Sequence, residues 1–242
     1  MKIFLIIFVV FFMSLQAEPI HSNTIDSQAI FDEKHQVYIF TRDDYQIVWY
    51  KNKNKKAEGG LKNSQRNGRW KFWYEDGTLK AEGDFLNHKM NGYWKYYYKN
   101  GNLEKEGNYT NNKKEGVWKF YYPNGKVKSI GTFKGGLKNG KWEEYYETGQ
   151  LFFKGNYKTD MADGFWIYYF PDGSFYQSGN FEFDVRVGEW KVCISPNGQC
   201  GIEINDNKKA PPISNLPKIK DSQEPFSNDL DSPSKVWDSM EK

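Results

Sequence analysis

Between residues 44 and 204, apolar and aromatic residues recur at every second position in short runs. Clusters of Gly, Asn and Asp separate these runs. This is the pattern of half-buried β-strands joined by turns. In Trp70-Lys71-Phe72-Trp73-Tyr74 the side chains alternate as a strand requires. Glu75-Asp76-Gly77-Thr78 is a turn sequence, Leu79 to Phe85 reads as the return strand, and Asn87 to Asn91 as a polar link to the next hairpin.

The same unit returns every 24 residues. Trp70, Trp94, Trp118, Trp142, Trp166 and Trp190 form one column, and a glycine stands two residues before each, from Gly68 to Gly188. Two further glycine columns run from Gly77 to Gly173 and from Gly83 to Gly179. Residues 44–67 are a weaker copy, with Gln46 where tryptophan is expected, and read as a degenerate cap. Full repeats start near residues 68, 92, 116, 140, 164 and 188. The fold class expected is all-β: an elongated array of 24-residue β-hairpins forming one twisted antiparallel sheet.

A four-residue turn sets Tyr74 opposite Leu79, Phe72 opposite Ala81 and Trp70 opposite Gly83, so that each indole covers the glycine of its own hairpin. A three-residue turn with a bulge would alter these pairs, and both remain open. On the four-residue register the Trp ladder, Leu79 and their equivalents make the core side. Lys71, Lys80, Glu82 and Asp84 lie on the other face. That second face also carries one aromatic per repeat: Trp73, Tyr97, Tyr121, Tyr145 and Tyr169. The stripe continues into Cys193, opposite Cys200, and a cross-strand disulfide there would lock the last hairpin. The alternative is two free thiols. A tryptophan beside the cap, such as Trp70, is expected to have fewer neighbours than Trp118.

Composition agrees with thin β layers: hydrophobic residues are 38% of the 242, yet aromatics alone are 18%. At the N-terminus, Lys2 and the apolar run from Ile3 to Met13 lead to Ser14-Leu15-Gln16-Ala17. The run is short for a ~30 Å hydrocarbon core, so residues 1–17 are expected to be an export signal cleaved after Ala17. A retained anchor is the alternative. Residues 18–43 read as a polar lead-in. Residues 205–242, with Pro211, Pro212, Pro217, Pro225 and Pro233 among Ser, Asp and Lys, read as a disordered tail. The expected location is exported: periplasmic, outer-surface or secreted, of bacterial type.

Charge is distributed unevenly. From Lys51 to Trp142 there are 21 Lys and Arg against 8 Asp and Glu, whereas from Glu143 to Ile204 there are 4 against 10. The basic half is expected to steer toward an anionic envelope surface or an acidic partner protein. Head-to-tail self-association is a second outcome of the same asymmetry. Export argues against nucleic acid.

The run Asn91-Gly92-Tyr93-Trp94-Lys95-Tyr96-Tyr97-Tyr98-Lys99-Asn100-Gly101-Asn102-Leu103, closing on Glu106-Gly107-Asn108-Tyr109, resembles the bacterial variant of the MORN repeat, in proteins often labelled antitoxin-like. The resemblance spans roughly residues 44–204. It implies a hairpin array that serves as a scaffold for protein or membrane contacts, and it brings no shared catalytic residues. The antitoxin label fits poorly with an export signal and is not carried over. Choline-binding wall repeats, the second resemblance, have a shorter period and lack the Gly-x-Trp opening.

Chemistry-bearing motifs are sparse. The chain has no phosphate loop, nucleophile elbow or His-Glu-x-x-His motif. The two cysteines and the scattered His21, His35 and His88 do not make a zinc site, so no cofactor or metal is expected. His88 reads as a solvated link residue. Glu143, Glu144 and Glu147 are the densest acidic cluster, and Asp160 and Asp163 lie in a link. All five read as solvated surface rather than as a catalytic pair. Asn108-Tyr109-Thr110 matches a glycosylation acceptor by chance. The function expected is a non-catalytic scaffold, with a glycan-binding wall module as the alternative and a carboxylate hydrolase as a remote third.

Overall fold

A computed structural model describes residues 25–209 apart from residue 197, with side chains through residue 204. The export signal (1–17), the first part of the lead-in and the tail beyond residue 209 lie outside the described residues. Sixteen strands follow one another. They are β1 (Ile30–Asp32), β2 (Val37–Arg42), β3 (Tyr45–Tyr50), β4 (Lys55–Lys62), β5 (Gln65–Trp73), β6 (Leu79–Leu86), β7 (Lys89–Tyr97) and β8 (Leu103–Thr110), then β9 (Lys113–Tyr121), β10 (Val127–Lys134), β11 (Leu137–Tyr145), β12 (Leu151–Lys158), β13 (Met161–Tyr169), β14 (Phe175–Glu182), β15 (Val185–Cys193) and β16 (Cys200–Lys209). They form a single open sheet in sequence order, each neighbour antiparallel.

The sheet extends beyond the expected array at both ends. β1 and β2 lie in the polar lead-in because Val37 and Ile39 supply one apolar face of a strand and Tyr38 and Phe40 the other. β16 runs to Lys209 through backbone pairing with Val185 and Arg186.

The polar links are shorter than the sequence suggested. Residues Asn87 and His88, both with positive φ (49° and 67°), turn the chain alone, and Leu86 pairs at once with Lys89. This is the two-residue hairpin with both central residues left-handed, which matches strand twist. Asn111–Asn112, Gly135–Gly136, Thr159–Asp160 and Phe183–Asp184 repeat it. Each link turn also bonds the strand one repeat earlier: His88 N–H donates to Arg66 O (2.8 Å), Asn112 N–H to Met90 O (3.0 Å) and Gly136 N–H to Lys114 O (2.9 Å).

At the other edge, Gly77 N–H donates to Tyr74 O (3.0 Å), Tyr74 N–H donates to Thr78 O (2.8 Å), and Gly77 has φ 89°. This is the three-residue loop with a glycine bulge, one of the two turns the sequence left open. A second bulge follows, because Trp73 pairs with Leu79 but Phe72 pairs with Ala81, leaving Lys80 unpaired. One extra residue moves side chains to the opposite face. Leu79 therefore joins the face of Trp73, and Lys80 joins the Trp70 side, where its ammonium lies 5.4 Å from the Tyr74 ring. Both placements reverse the expectation from the four-residue turn.

The register Trp70↔Gly83 holds, and so does its equivalent in the later repeats. The covering does not. A methyl group on Gly83 would collide with Trp94, and one on Gly59 with Trp70. Gly107, Gly131, Gly155 and Gly179 meet Trp118, Trp142, Trp166 and Trp190 in the same way. Each indole lies over the glycine of the preceding hairpin, not of its own. The indole N–H of Trp70, Trp94, Trp118 and Trp190 donates to Gly60 O, Asp84 O, Asn108 O and Asn180 O, 2.8–3.1 Å away on that preceding strand. Trp142 presents a different ring edge to Gly131. The indole N–H groups of Trp142 and Trp166 have no such partner among the described residues.

The core is thus continuous along one side of the sheet. Trp70, Trp94, Trp118 and Trp190 are fully shielded, and Phe72, Tyr96, Phe120, Phe85, Tyr109, Phe133 and Phe181 are buried among them. Trp70 is as buried as Trp118, because four strands precede β5 where only a degenerate cap was expected. A second cluster of Phe40, Ile47 and Trp49 forms on the other face at the N-terminal end, with Ile25, Ala29, Tyr38 and Tyr45 packed against it.

Candidate functional site: the second face of the sheet

Three rows run across the strands on the face opposite the tryptophans. The middle row alternates in charge: Glu58, Lys71, Glu82, Lys95, Glu106 and Lys119 are successive cross-strand partners. Opposite charges in direct register attract weakly in water, about 0.2–1 kcal/mol per pair. The row passes to Ile130, Glu143, Lys154, Ile167, Ser178 and Lys191 in the later repeats.

The row nearest the hairpin turns is the expected stripe, and the structure widens it. Trp73, Tyr97, Tyr121, Tyr145 and Tyr169 pair directly with Leu79, Leu103, Val127, Leu151 and Phe175. All ten are half-buried. The bulge after each turn brings in the second residue of each pair. The phenols are pinned: Tyr97 donates to Glu82 (3.0 Å), Tyr121 to Glu106 (2.6 Å) and Tyr145 to Glu143 (2.6 Å). Burial, then the carboxylate beside each, pushes Tyr97 and Tyr145 up to about 12 and raises Tyr121 as well. Trp73 is covered instead by the Lys55 ammonium at 5.2 Å. The stripe ends at a Cys193–Cys200 disulfide, as the spacing predicted.

The row nearest the link turns was missed. It sets Arg69, Tyr93, Val117, Lys141, Phe165 and Glu189 beside Asp84, Asn108, Thr132, Asn156, Asn180 and Ile204. Tyr93 (43% exposed), Val117 (56%) and Phe165 (55%) stand free of the core. They share a 24-residue column, but it mixes charged and apolar residues, so no periodic signal marks it.

The tryptophan side carries the charge that this face lacks. Arg66, Lys114, Lys138 and Arg186 occupy one column and lie over indoles, at 5.8, 5.3, 4.2 and 4.1 Å from Trp70, Trp118, Trp142 and Trp190. Lys105 lies 4.7 Å over Tyr96. Lys56, Lys80 and Lys128 cover Tyr50, Tyr74 and Tyr122 at the hairpin end. Burial lowers the affinity of Lys56, Lys80 and Lys138 for their protons. Much of the basic excess of the first half thus lies on the tryptophan side and toward the two edges, while the middle row of the second face is balanced.

Two solvated-surface readings change, those of His88 and Glu144, while Asp160 stays exposed and gains a backbone partner. His88 Nε2 lies 3.0 Å from the guanidinium of buried Arg66, so it is a packed link residue. Glu144 occupies the column of Phe72, Tyr96 and Phe120, on the tryptophan side and half-buried, apart from Glu143 on the second face. Asp160 and the equivalent Asp184 bond the N–H groups of Lys138 and Ala162 and cap the link turns. Glu143, Glu144 and Glu147 are therefore not a convergent set. Among the described residues no group of three or more His, Cys, Asp or Glu is placed to hold a metal ion.

A further column was visible but had no assigned role. Tyr50, Tyr74, Tyr98, Tyr122 and Tyr146 each donate their hydroxyl to the carbonyl of Trp73, Tyr97, Tyr121, Tyr145 and Tyr169, at 2.7–2.8 Å. Each tyrosine fastens its own hairpin to the next, behind the stripe.

Residues 66–87, 90–111, 114–134 and 138–159 match a family model described as MORN repeat variant. Each matched segment covers one hairpin, from β5–β6 to β11–β12. MORN repeats are in general non-catalytic modules that bind proteins or membranes. No curated protein matches. A chain of the crystal structure of the GtfA/B complex bound to UDP and GlcNAc aligns with 52% of this chain at 10% identity and a TM-score of 0.19. This chain spans 24% of that one, and a likeness so slight carries no argument.

Proposed function

We propose that this chain is an exported, non-catalytic scaffold whose second face docks a protein or an envelope surface. The observation that carries the reading is the stripe. The array spends its Gly-x-Trp ladder on its own core, yet keeps one further half-buried aromatic per repeat on the opposite face, beside a charge-balanced row. Nothing in hairpin pairing requires an aromatic there, and surface aromatics with a pinned polar end lose little entropy on contact. The leader-like first residues and the Cys193–Cys200 bond support an exported location. The basic tryptophan side and edges would attract the array toward anionic surroundings at long range, leaving the second face to make the specific contact.

The test is capture from envelope extract by the full chain and by a variant with Tyr97, Tyr121 and Tyr145 changed to Ser. The stripe is expected to be needed for retention. The same set of partners held by both proteins removes the role given to it.

A further inference from the structure

We infer that the ligand of the second face is an extended, uncharged β-1,4-linked polysaccharide laid along the array, perpendicular to the strands. The inference rests on the docking reading above and names its partner class. Spacing is the first argument. Neighbouring strands lie ~4.8 Å apart, so successive hairpins advance by about 9.6 Å. That is close to the length of one disaccharide in an extended β-1,4-linked chain, in which every second sugar presents the same face. Tyr97, Tyr121, Tyr145 and Tyr169 therefore offer one ring per disaccharide, in step with the polymer.

The second argument is charge. The Glu58 to Lys119 ladder neutralises itself strand by strand. Along this ladder a polyanion would meet a carboxylate beside each ammonium, and a separate set of cations lies on the tryptophan side. A protein partner is also a poor fit, since the cores of protein interfaces are depleted of charged residues, whereas charge runs through the middle of this face. Sugar hydroxyls suit it well. Glu143 accepts the hydroxyl of Tyr145, Glu82 accepts from Tyr97 and Arg69, and Glu106 from Tyr121 and Tyr93, and a carboxylate with about four lone-pair sites has acceptor capacity for more. Asn108, Thr132 and Asn156 add one polar side chain per repeat in the adjoining row.

The pinned hydroxyls are the third argument. A phenol held by a carboxylate keeps its ring in one orientation, so ring stacking starts from an ordered platform. Binding strength should grow with the number of rings engaged.

The experiment is calorimetry of the full chain with chitobiose, chitotetraose, chitohexaose and cellohexaose, with the α-linked maltohexaose as the control of wrong geometry. A β-1,4-linked hexamer is expected to bind roughly tenfold or more tighter than the dimer, because added sugars engage further rings, and maltohexaose should not bind. Tyr121→Ala should weaken hexamer binding, whereas Tyr121→Phe, which keeps the ring, should retain most of it. Circular dichroism of both variants confirms that the sheet is intact. Equal affinity for dimer and hexamer, no binding to any β-1,4-linked oligomer, or unchanged binding by folded Tyr121→Ala overturns the inference. If envelope proteins are still captured through the stripe while the oligosaccharides do not bind, the partner is a protein: the docking reading stands and this inference fails. If neither binds, both fail.

Discussion

Replacing Gly107 by alanine puts a methyl group into space that the Trp118 ring occupies, well inside van der Waals contact. The ring would have to retreat by roughly 1 Å to restore a ~3.5 Å carbon separation. It has little freedom to do so, since Trp118 is fully shielded and its N–H is bonded to Asn108 O at 3.0 Å. Overpacking of this kind costs about 1–3 kcal/mol, and weakening the indole bond adds about 1 kcal/mol. Against this, Gly107 is outside the left-handed region, so alanine restricts the unfolded chain and returns about 0.4–1 kcal/mol. The net expectation is a loss of about 2 kcal/mol. Gly201, in β16 with open space around its α-carbon, is the control: alanine there should be neutral or slightly stabilising.

Urea denaturation followed by tryptophan fluorescence reads both changes from the midpoint at constant slope. The direction in which the indole leans is tested by a double-mutant cycle. Gly107 lies between Trp94, its register partner in β7, and Trp118 in β9. Gly107→Ala should couple to Trp118→Leu by more than about 1 kcal/mol and to Trp94→Leu by less than about 0.5 kcal/mol. Coupling to Trp94 instead, or a Gly107→Ala loss no larger than that of Gly201→Ala, refutes the inter-hairpin staple.

Other expectations follow from the same contacts. Tyr122→Phe removes a hydroxyl bonded to Tyr145 O at 2.7 Å and leaves that carbonyl without it, so the urea midpoint should fall by the equivalent of about 1 kcal/mol. Trp118→Ala and Trp70→Ala should each cost about 3–5 kcal/mol, since both indoles are fully shielded; a much smaller loss at Trp70 would mean that β1 to β4 do not support it. Alkali should destabilise the fold in a defined window. Tyr50, Tyr74 and Tyr146 are pushed up to about 12, chiefly by burial, and Tyr97 and Tyr145 by burial and a neighbouring carboxylate. A phenol raised in the fold contributes stability that is complete below the unfolded value of ~10 and is lost as pH rises through the folded value. The urea midpoint should therefore hold up to about pH 10 and drop between about 10 and 12; a flat profile there contradicts the pinned phenols.

The sequence by itself determined the period, the fold class and the lateral order of strands. A Trp and a Gly every 24 residues, with alternation between them, admit few structures other than stacked hairpins, and the Cys193–Cys200 pair follows from the same spacing. It also determined which residues stand in each column, including the stripe from Trp73 to Tyr169. Only the tertiary structure decided which way each indole falls. Gly107 has a tryptophan on either side, and pairing distance is the same in both directions. At Trp118 the carbonyl of Asn108, which accepts the indole N–H, holds the ring on that side, while Trp142 and Trp166 lean the same way through packing without such a bond. Only the structure decided the faces near each turn, because a single unpaired residue such as Lys80 moves Leu79 to the other side without any mark in the period. Only the structure showed that Arg66, Lys114, Lys138 and Arg186 lie over indoles while Lys71, Lys95 and Lys119 face carboxylates on the other side, because charge summed along a chain says nothing about which face bears it. The middle of the second face is consequently a charge-balanced ladder beside one ring per repeat, which the count of charges alone would have hidden.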